Sequence, residues 1–365
     1  MKFKIIRSKF FESIKRVQNI VAGKGSLQII QNVLLEANDG KLYLTTTDLD
    51  ISIRSVVPCE VVEPGSTTLP VKLLSNSIAK LAEGVVEVDV DAQDRAQISA
   101  GSAMYRVTGL PVADFPPLPA DADSFAYVLP QATLREMLRK TAYATSQDET
   151  RKTLKGVLAS FKEGKLTTVA TDGRRLALVE HDVEFPADAE RDMVLPGKVV
   201  SELQRSLMGD GDVKITIEKS QVSFNLGDTQ IYSKLLDEVY PNYRQVIPDS
   251  CNERVVVDRQ LLLSALERAS VMSMEETSST RLTFEENQLL VSANAAQVGG
   301  EAKDVVPIKY GGGRIEIVFN PSYVMDPLKA IDEDEVTIEL TSGSKPAVIR
   351  CSVPFLYVMM PLRIS

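Results

Sequence analysis

A chain of 365 residues, 44% hydrophobic and 25% charged with a net charge of −9, is long enough for two or three packed domains and too apolar for extended disorder. Three scattered cysteines, Cys59, Cys251 and Cys351, and a single histidine, His181, offer no disulfide framework, no zinc set and no histidine-based nucleophile, so neither a metal nor a cofactor is expected. No run is apolar enough to span a bilayer, and Met1 to Val21 is broken by Lys4, Arg7, Lys9, Glu12, Lys15 and Arg16, so a cytoplasmic location without a membrane partner is expected.

The first predicted element is an amphipathic helix over 8–24, with Phe10, Ile14, Val17 and Val21 on one face. A strand-like run then ends in Leu44-Thr45-Thr46-Thr47-Asp48. Leu69-Pro70-Val71-Lys72 opens a second helix over 71–82, and Val86, Val88 and Val90 alternate as a strand with one buried face. Phe115-Pro116-Pro117-Leu118-Pro119 closes this unit near residue 125.

The same order then returns. A helix over 131–143 carries Leu134, Leu138 and Thr141, a strand ends in Leu166-Thr167-Thr168-Val169-Ala170-Thr171-Asp172, and Leu195-Pro196-Gly197-Lys198 opens a helix over 197–208. Val213, Ile215 and Ile217 alternate after it, and Tyr240-Pro241-Asn242-Tyr243 closes the unit near 250. The third pass has a helix over 259–270 with Leu262, Leu266 and Ala269, a strand ending in Leu289-Leu290-Val291-Ser292-Ala293-Asn294, Phe319-Asn320-Pro321-Ser322 before a helix over 320–330, and alternating Val336, Ile338 and Leu340. The strand markers Asp48, Asp172 and Asn294 stand 124 and 122 residues apart. One domain is therefore used three times, over 1–125, 126–250 and 251–365, in an α+β fold with two helices and antiparallel sheets per domain.

Charge is distributed unevenly over this repeat. The six helical windows hold 14 of the 41 basic residues against five acidic ones, a balance of +9, and everything else carries −18. Lys9 and Arg16, Arg135 and Arg139, and Lys198 and Arg205 are spaced to share faces opposite the apolar stripes. Basic residues are good helix formers, which explains any one helix. Five of the six windows are net basic and none is net acidic, which fits a surface that attracts phosphates within a protein whose remainder repels them.

Several segments resemble the beta sliding clamps of bacterial DNA polymerase III, from end to end. They are Met1-Lys2-Phe3, Thr47-Asp48-Leu49-Asp50, Gly109-Leu110-Pro111-Val112-Ala113-Asp114-Phe115-Pro116, Ala170-Thr171-Asp172-Gly173-Arg174-Arg175-Leu176-Ala177, Tyr240-Pro241-Asn242-Tyr243-Arg244, Phe319-Asn320-Pro321-Ser322-Tyr323 and Val358-Met359-Met360-Pro361-Leu362-Arg363. The resemblance implies a head-to-tail homodimer closing a ring of six similar domains around duplex DNA, helices inward and sheets outward, opened by a clamp loader and sliding with its polymerase. It implies no bond-making step. DNA contact would be nonspecific, through helix-borne Lys24, Arg135, Lys198 and Arg205. Tyr105 and Val107 of one copy would meet Val271 and Met272 of the other, with packing inside the domain as the alternative for Val107.

The resemblance further implies one apolar cleft per chain that receives a short hydrophobic peptide from each client: the polymerase III alpha subunit, the clamp loader, other polymerases and repair proteins. Its central-domain residues would be Leu154, Thr171, Gly173, Arg175, Leu176, Pro241 and Val246. Its third-domain residues would be Asn320, Tyr323, Pro346, Val358, Met360, Pro361 and Leu362. Arg175 and Asn320 would hold peptide polar groups at the rim, and Met360 would be the adaptable element. The chain departs from the family at Thr153, where an aromatic residue is common, at Gln245, where arginine is common, and at Ser26-Leu27-Gln28-Ile29, which lacks a common proline.

The residues leave two other functions to consider. Thr171-Asp172-Gly173-Arg174-Arg175 sets a carboxylate beside two guanidiniums, the best material for an enzyme, yet no base, metal set or glycine-rich phosphate loop accompanies it, and a turn at a strand end explains it. A non-catalytic three-domain interaction scaffold without DNA would account for the repeats and the acidic surface.

Overall fold

The computed structural model describes residues 1–21, 27–119, 125–272, 279–295, 300–351 and 354–362. The first repeat comprises β1 (Lys2–Ile6), α1 (Arg7–Val17), β2 (Asn32–Asn38), β3 (Lys41–Thr47), β4 (Ile51–Pro58), β5 (Glu60–Glu63), β6 (Gly65–Pro70), α2 (Val71–Lys80), β7 (Val85–Val90), β8 (Arg95–Ala100) and β9 (Ala103–Thr108). The second comprises β10 (Ala126–Pro130), α3 (Gln131–Thr141), β11 (Gly156–Lys162), β12 (Lys165–Thr171), β13 (Arg175–Asp182), β14 (Arg191–Pro196), α4 (Gly197–Ser206), β15 (Asp212–Ile217), β16 (Gln221–Asn225) and β17 (Thr229–Lys234). The third comprises β18 (Glu253–Asp258), α5 (Arg259–Ser270), β19 (Thr280–Glu285), β20 (Gln288–Ala295), β21 (Gly300–Lys309), β22 (Ile315–Phe319), α6 (Pro321–Ala330), β23 (Glu335–Leu340), β24 (Ala347–Arg350) and β25 (Phe355–Met359).

Apart from the added β5, each repeat reads β-α-β-β-β-β-α-β-β-β, as the threefold sequence pattern predicts. The apolar stripes face inward: Phe10, Ile14 and Val17 of α1, Leu134, Leu138 and Thr141 of α3, and Leu262, Leu266 and Ala269 of α5 are all buried. Val86, Val88 and Val90 in β7 and Val336, Ile338 and Leu340 in β23 are buried on one sheet face, the consequence of a period of two. Helix starts follow the sequence: Asp258 caps α5 by accepting from Leu261 N at 2.8 Å, and Asn320 caps α6 by accepting from Ser322 N at 3.0 Å, with Pro321 at its first position. The predicted window 8–24 is too long. α1 ends at Val17 and a 3-10 turn, Gln18–Ile20, follows it.

The chain forms two compact units, one of Met1–Leu134 with Ser201–Leu235 and the other of Arg135–Val200 with Leu236–Ser365. The first holds a five-stranded sheet, β5-β1-β7-β8-β9, and an eight-stranded sheet, β10-β15-β16-β17-β4-β3-β2-β6. The second holds a twelve-stranded sheet, β14-β11-β12-β13-β25-β24-β23-β18-β21-β20-β19-β22. In each unit the sheet of one repeat continues into the next. β4 pairs with β17 in the first unit and β13 with β25 in the second, both antiparallel.

Candidate functional site

The Thr171-Asp172-Gly173-Arg174 turn joins β12 to β13 and is held by its own side chains. Thr171 Oγ1 donates to Arg175 O at 2.6 Å and accepts from Gly173 N at 3.1 Å. Asp172 Oδ1 accepts from Arg174 N at 2.8 Å and Arg175 N at 3.0 Å. Gly173 takes φ +85°, a left-handed conformation that glycine reaches without penalty. The residues that offered the best material for catalysis are thus a strand-end turn.

Arg175 is the centre of the site. Its Nε donates to Asp172 Oδ2 at 3.0 Å, Nη1 to Asp326 Oδ2 at 2.5 Å and Nη2 to Tyr143 O at 2.8 Å. The guanidinium lies 4.6 Å from the ring centroid of Tyr323 and 5.8 Å from that of Tyr143. Its side chain is only 11% exposed. Three of its N–H groups are engaged, with α6, with Tyr143 and with its own turn, so Arg175 ties these parts together. Burial works against its charge, and the fields of Tyr357, Asp326 and Asp172 outweigh that, so its pKa is raised.

Beside it, Leu176 stands opposite Val358 and Arg175 opposite Met359 in the β13–β25 pair. Leu176 and Val358 are core residues, packed with Leu158, Val169, Val194, Val348 and Leu356. The segment after β17 lies on this cluster through Leu236, Tyr240, Tyr243, Ile247 and Cys251. Tyr240 Oη donates to Val169 O at 3.4 Å, and burial pushes its pKa up. Pro241 and Val246, from the same segment, are exposed. Farther along the sheet face, Leu178, Tyr243, Ile247, Phe355 and Leu356 line a groove of about 360 Å³.

The other residues expected to line the cleft lie around the same turn and strand pair. Leu154, half-buried in the 3-10 turn Lys152–Lys155, accepts from Ser146 N at 2.8 Å, and Arg151 Nη1 ties this turn to Asp172 O at 3.1 Å. The Asn320 side-chain oxygen caps α6 by accepting from Ser322 N at 3.0 Å. Tyr323 stacks on Arg175, and its carbonyl accepts from Tyr357 Oη at 2.8 Å. Met360, 43% exposed, donates its N–H to Arg174 O at 2.8 Å. Pro346, Pro361 and Leu362 are half-buried, and Leu362 N reaches Val318 O at 2.8 Å. Thr153 hydrogen-bonds Glu238, and Gln245 is exposed. The supporting residues Tyr143, Arg151, Asp326 and Tyr357 escaped the sequence reading. Of these only Asp326 left a trace there, as an acid in a helix set otherwise dominated by bases.

The other expected contacts are dispersed. Lys24 lies outside the described residues. Arg135 and Lys198 are exposed on α3 and α4, and burial lowers the Lys198 pKa. Arg205 is exposed and donates from Nη1 to Glu202 Oε2 at 3.2 Å. On β9, Tyr105 is half-buried, whereas Val107 is 5% exposed opposite Ala96, packed inside its own domain. Val271 is 76% exposed after α5 and Met272 half-buried. Exposed Met104 on β9 and Val305 on β21 were missed, because an apolar residue within a strand pattern reads as core until the sheet edge is known.

Family models of the DNA polymerase III beta subunit match the chain in three pieces: the N-terminal domain over 1–119, the central domain over 128–242 and the C-terminal domain over 244–363. The beta sliding clamp of Escherichia coli K12 is 33% identical, with all of both chains covered, and that of Chlamydia muridarum 32% identical over 100% of this chain and 99% of its own. A sliding clamp from Pseudomonas aeruginosa, solved bound to griselimycin, superposes with a TM-score of 0.95 at 31% identity and full coverage of both chains. The sliding clamp of Bacillus subtilis gives a TM-score of 0.94 at 28% identity, again with full coverage.

Proposed function

Because the chain belongs to the DNA polymerase III beta-subunit family and is a DNA sliding clamp, we propose that two copies close head to tail into a ring around duplex DNA, in the cytoplasm and without catalysing any reaction. The observation that carries this is an unfinished repeat. β4 pairs with β17 and β13 pairs with β25, so each repeat offers the last strand of its first hairpin series to the last strand of the next repeat. Among the described residues the third repeat's equivalent, β21, is paired on its outer side with β18 only at Ile308 and Lys309, and no described strand pairs with that side from Gly300 to Pro307. The first repeat's last strand, β9, is likewise the edge of its sheet. Two such edges on one chain suit a second copy, because open edges invite strand addition and a head-to-tail contact closes a ring. Exposed Met104 and Val305 lie on these strands, and Val271 and Met272 follow α5.

In this reading Tyr105, Val271 and Met272 contribute to the interface, with Val107 packed inside its own domain, and Lys24, Arg135, Lys198 and Arg205 contribute to loose phosphate contact. The residues around the β13–β25 pair take a short hydrophobic peptide from the polymerase III alpha subunit, the clamp loader and repair proteins. Leu176 and Val358 form the floor, Val246, Met360 and Leu362 the walls, and Arg175 holds the frame. A ring loaded on a nicked circular plasmid should stay bound and be lost when the plasmid is linearised. Equal retention on both forms would defeat encirclement and favour an ordinary scaffold. Met272→Glu should halve the mass in light scattering. Met360→Ala with Leu362→Ala should abolish binding of a Leu/Phe-containing peptide in fluorescence anisotropy while the dimer persists, and undiminished affinity would remove the cleft.

A further inference from the structure

Several of the basic helix residues are paired with carboxylates. In the first unit Arg16 of α1 is paired with Asp228, from the turn between β16 and β17, and Arg205 of α4 with Glu202 at 3.2 Å. In the second unit Arg139 of α3 grips Asp332, which follows α6, with both ends of its guanidinium: Nη1 to Oδ1 at 3.1 Å, and Nη2 to Oδ2. Lys140 is buried and meets Glu136 Oε1 at 2.6 Å, Arg268 donates to Asp304 at 2.7 Å, and Lys329 lies 3.3 Å from Glu267. Asp228, Asp332 and Asp304 come from outside the helical windows, so a sequence count assigns them to the acidic remainder while the fold lays them against the helices.

Asp332 grips both ends of the Arg139 guanidinium, the geometry a DNA phosphate would use, whereas Asp228 meets Arg16 through one oxygen and one nitrogen, as a singly bonded phosphate would. We propose that Asp228 and Asp332 act as built-in phosphate mimics, which hold Arg16 and Arg139 between DNA contacts and release them only in exchange for a phosphate. This rests on the reading of the helices as the DNA-facing surface. An exposed ion pair is worth little on balance, so exchanging carboxylate for phosphate is nearly neutral in free energy. The arginine then never waits unpaired while the duplex moves, and no position of the DNA is strongly preferred. That property suits a tether that must slide. The Arg139 pairing also holds the Asp332 carboxyl below its usual range, so this mimic stays ionised at neutral pH.

The test is duplex binding by fluorescence anisotropy at several salt concentrations, with the dimer checked by light scattering. Asp228→Asn with Asp332→Asn should bind duplex roughly 3–10-fold tighter than the parent, a few-fold for each arginine released. Adding Arg16→Gln and Arg139→Gln to that variant should erase the gain. A charge-matched control, Glu63→Gln with Asp182→Asn on exposed sheet positions, should change affinity much less. Equal tightening by the control would make net charge the cause and overturn the proposal, as would unchanged affinity in the double variant. If no dimer, parent or variant, bound duplex at low salt, the DNA-facing reading itself would fall, and the proposal with it.

Discussion

At the pairing of β4 with β17 the turn Thr47-Asp48-Leu49-Asp50 is followed by Ile51, and at the pairing of β13 with β25 the matching turn is followed by Arg175. The two turns are bonded alike. Thr47 Oγ1 accepts from Leu49 N and donates to Ile51 O, both at 3.1 Å, and Asp48 Oδ1 accepts from Asp50 N and Ile51 N, just as Thr171 and Asp172 do in theirs. Lys234 N donates to Asp50 O as Met360 N donates to Arg174 O. What differs is the side chains. Ile51 is 2% exposed and asks nothing directional of its surroundings, whereas Arg175 needs Asp172, Asp326 and Tyr143 O and so fixes a helix and a tyrosine against its strand. The next pair is Ser52 opposite Tyr232 in one junction and Leu176 opposite Val358 in the other. A repeat can therefore keep one backbone joint and build a framed apolar floor at only one of its copies.

The largest break in this comparison should come from the arginines. Arg175→Met leaves Asp172 and Asp326 without their buried counter-charge and should destabilise the second unit by about 3 kcal/mol in urea unfolding. Arg16→Met removes only an exposed partner of Asp228 and should cost less than about 1 kcal/mol in the first unit. Similar losses would show that the Arg175 network does not set the two junctions apart. A smaller effect is expected at the turns. Gly173→Ala must hold φ +85° and brings its Cβ to 2.8 Å from Arg151 Nη1, so a loss of about 1–2 kcal/mol is expected. Leu49 already takes φ +79° at the matching place in the first turn, so Leu49→Gly should gain up to about 1 kcal/mol. A gain from Gly173→Ala, or a loss from Leu49→Gly, would show that the two turns are not equivalent.

The architecture was legible because repetition and periodicity are local signals. The stripe Phe10, Ile14 and Val17 and the alternation Val86, Val88 and Val90 each report their own buried face. The strand-end turns were legible for the same reason, since Thr171, Asp172 and Gly173 bond to their neighbours in sequence. The frame of the site was not. Arg175 and Asp326 are 151 positions apart and Arg139 and Asp332 193 apart, so no count along the chain pairs them. For that reason the helix charge count did not reveal the carboxylates paired with Arg16 and Arg139, nor the partners packed around Arg175. Nor does periodicity reveal that β9 ends a sheet, so nothing along the chain singles out exposed Met104 on that strand.

The smallest effect sharpens the comparison through pH. In the first unit Glu202 of α4 is buried, and desolvation raises its pKa above the ordinary 4.5 despite Arg205, Ser206 and Asn19. In the second unit the Arg139 hydrogen bond lowers the pKa of Asp332. The two act in opposite directions on stability. A carboxyl raised in the folded state binds its proton more tightly there, so its stabilising contribution is complete below about pH 4.5 and is lost as pH climbs through the raised value. A lowered carboxyl contributes above its ordinary 3.8 and loses that contribution as pH falls through the lowered value. At neutral pH the ionised Glu202 therefore weakens the first unit, while the ionised Asp332 supports the second. Glu202→Gln should accordingly raise the Tm at pH 7, with the difference from the parent shrinking as pH approaches 4. Asp332→Asn should lower the Tm slightly at pH 7 and lose its effect only in stronger acid. Thermal melts across this range would read both signs, and a Glu202→Gln variant less stable than the parent at pH 7 would mean that its contacts with Arg205 and Asn19 outweigh the cost of burying its charge.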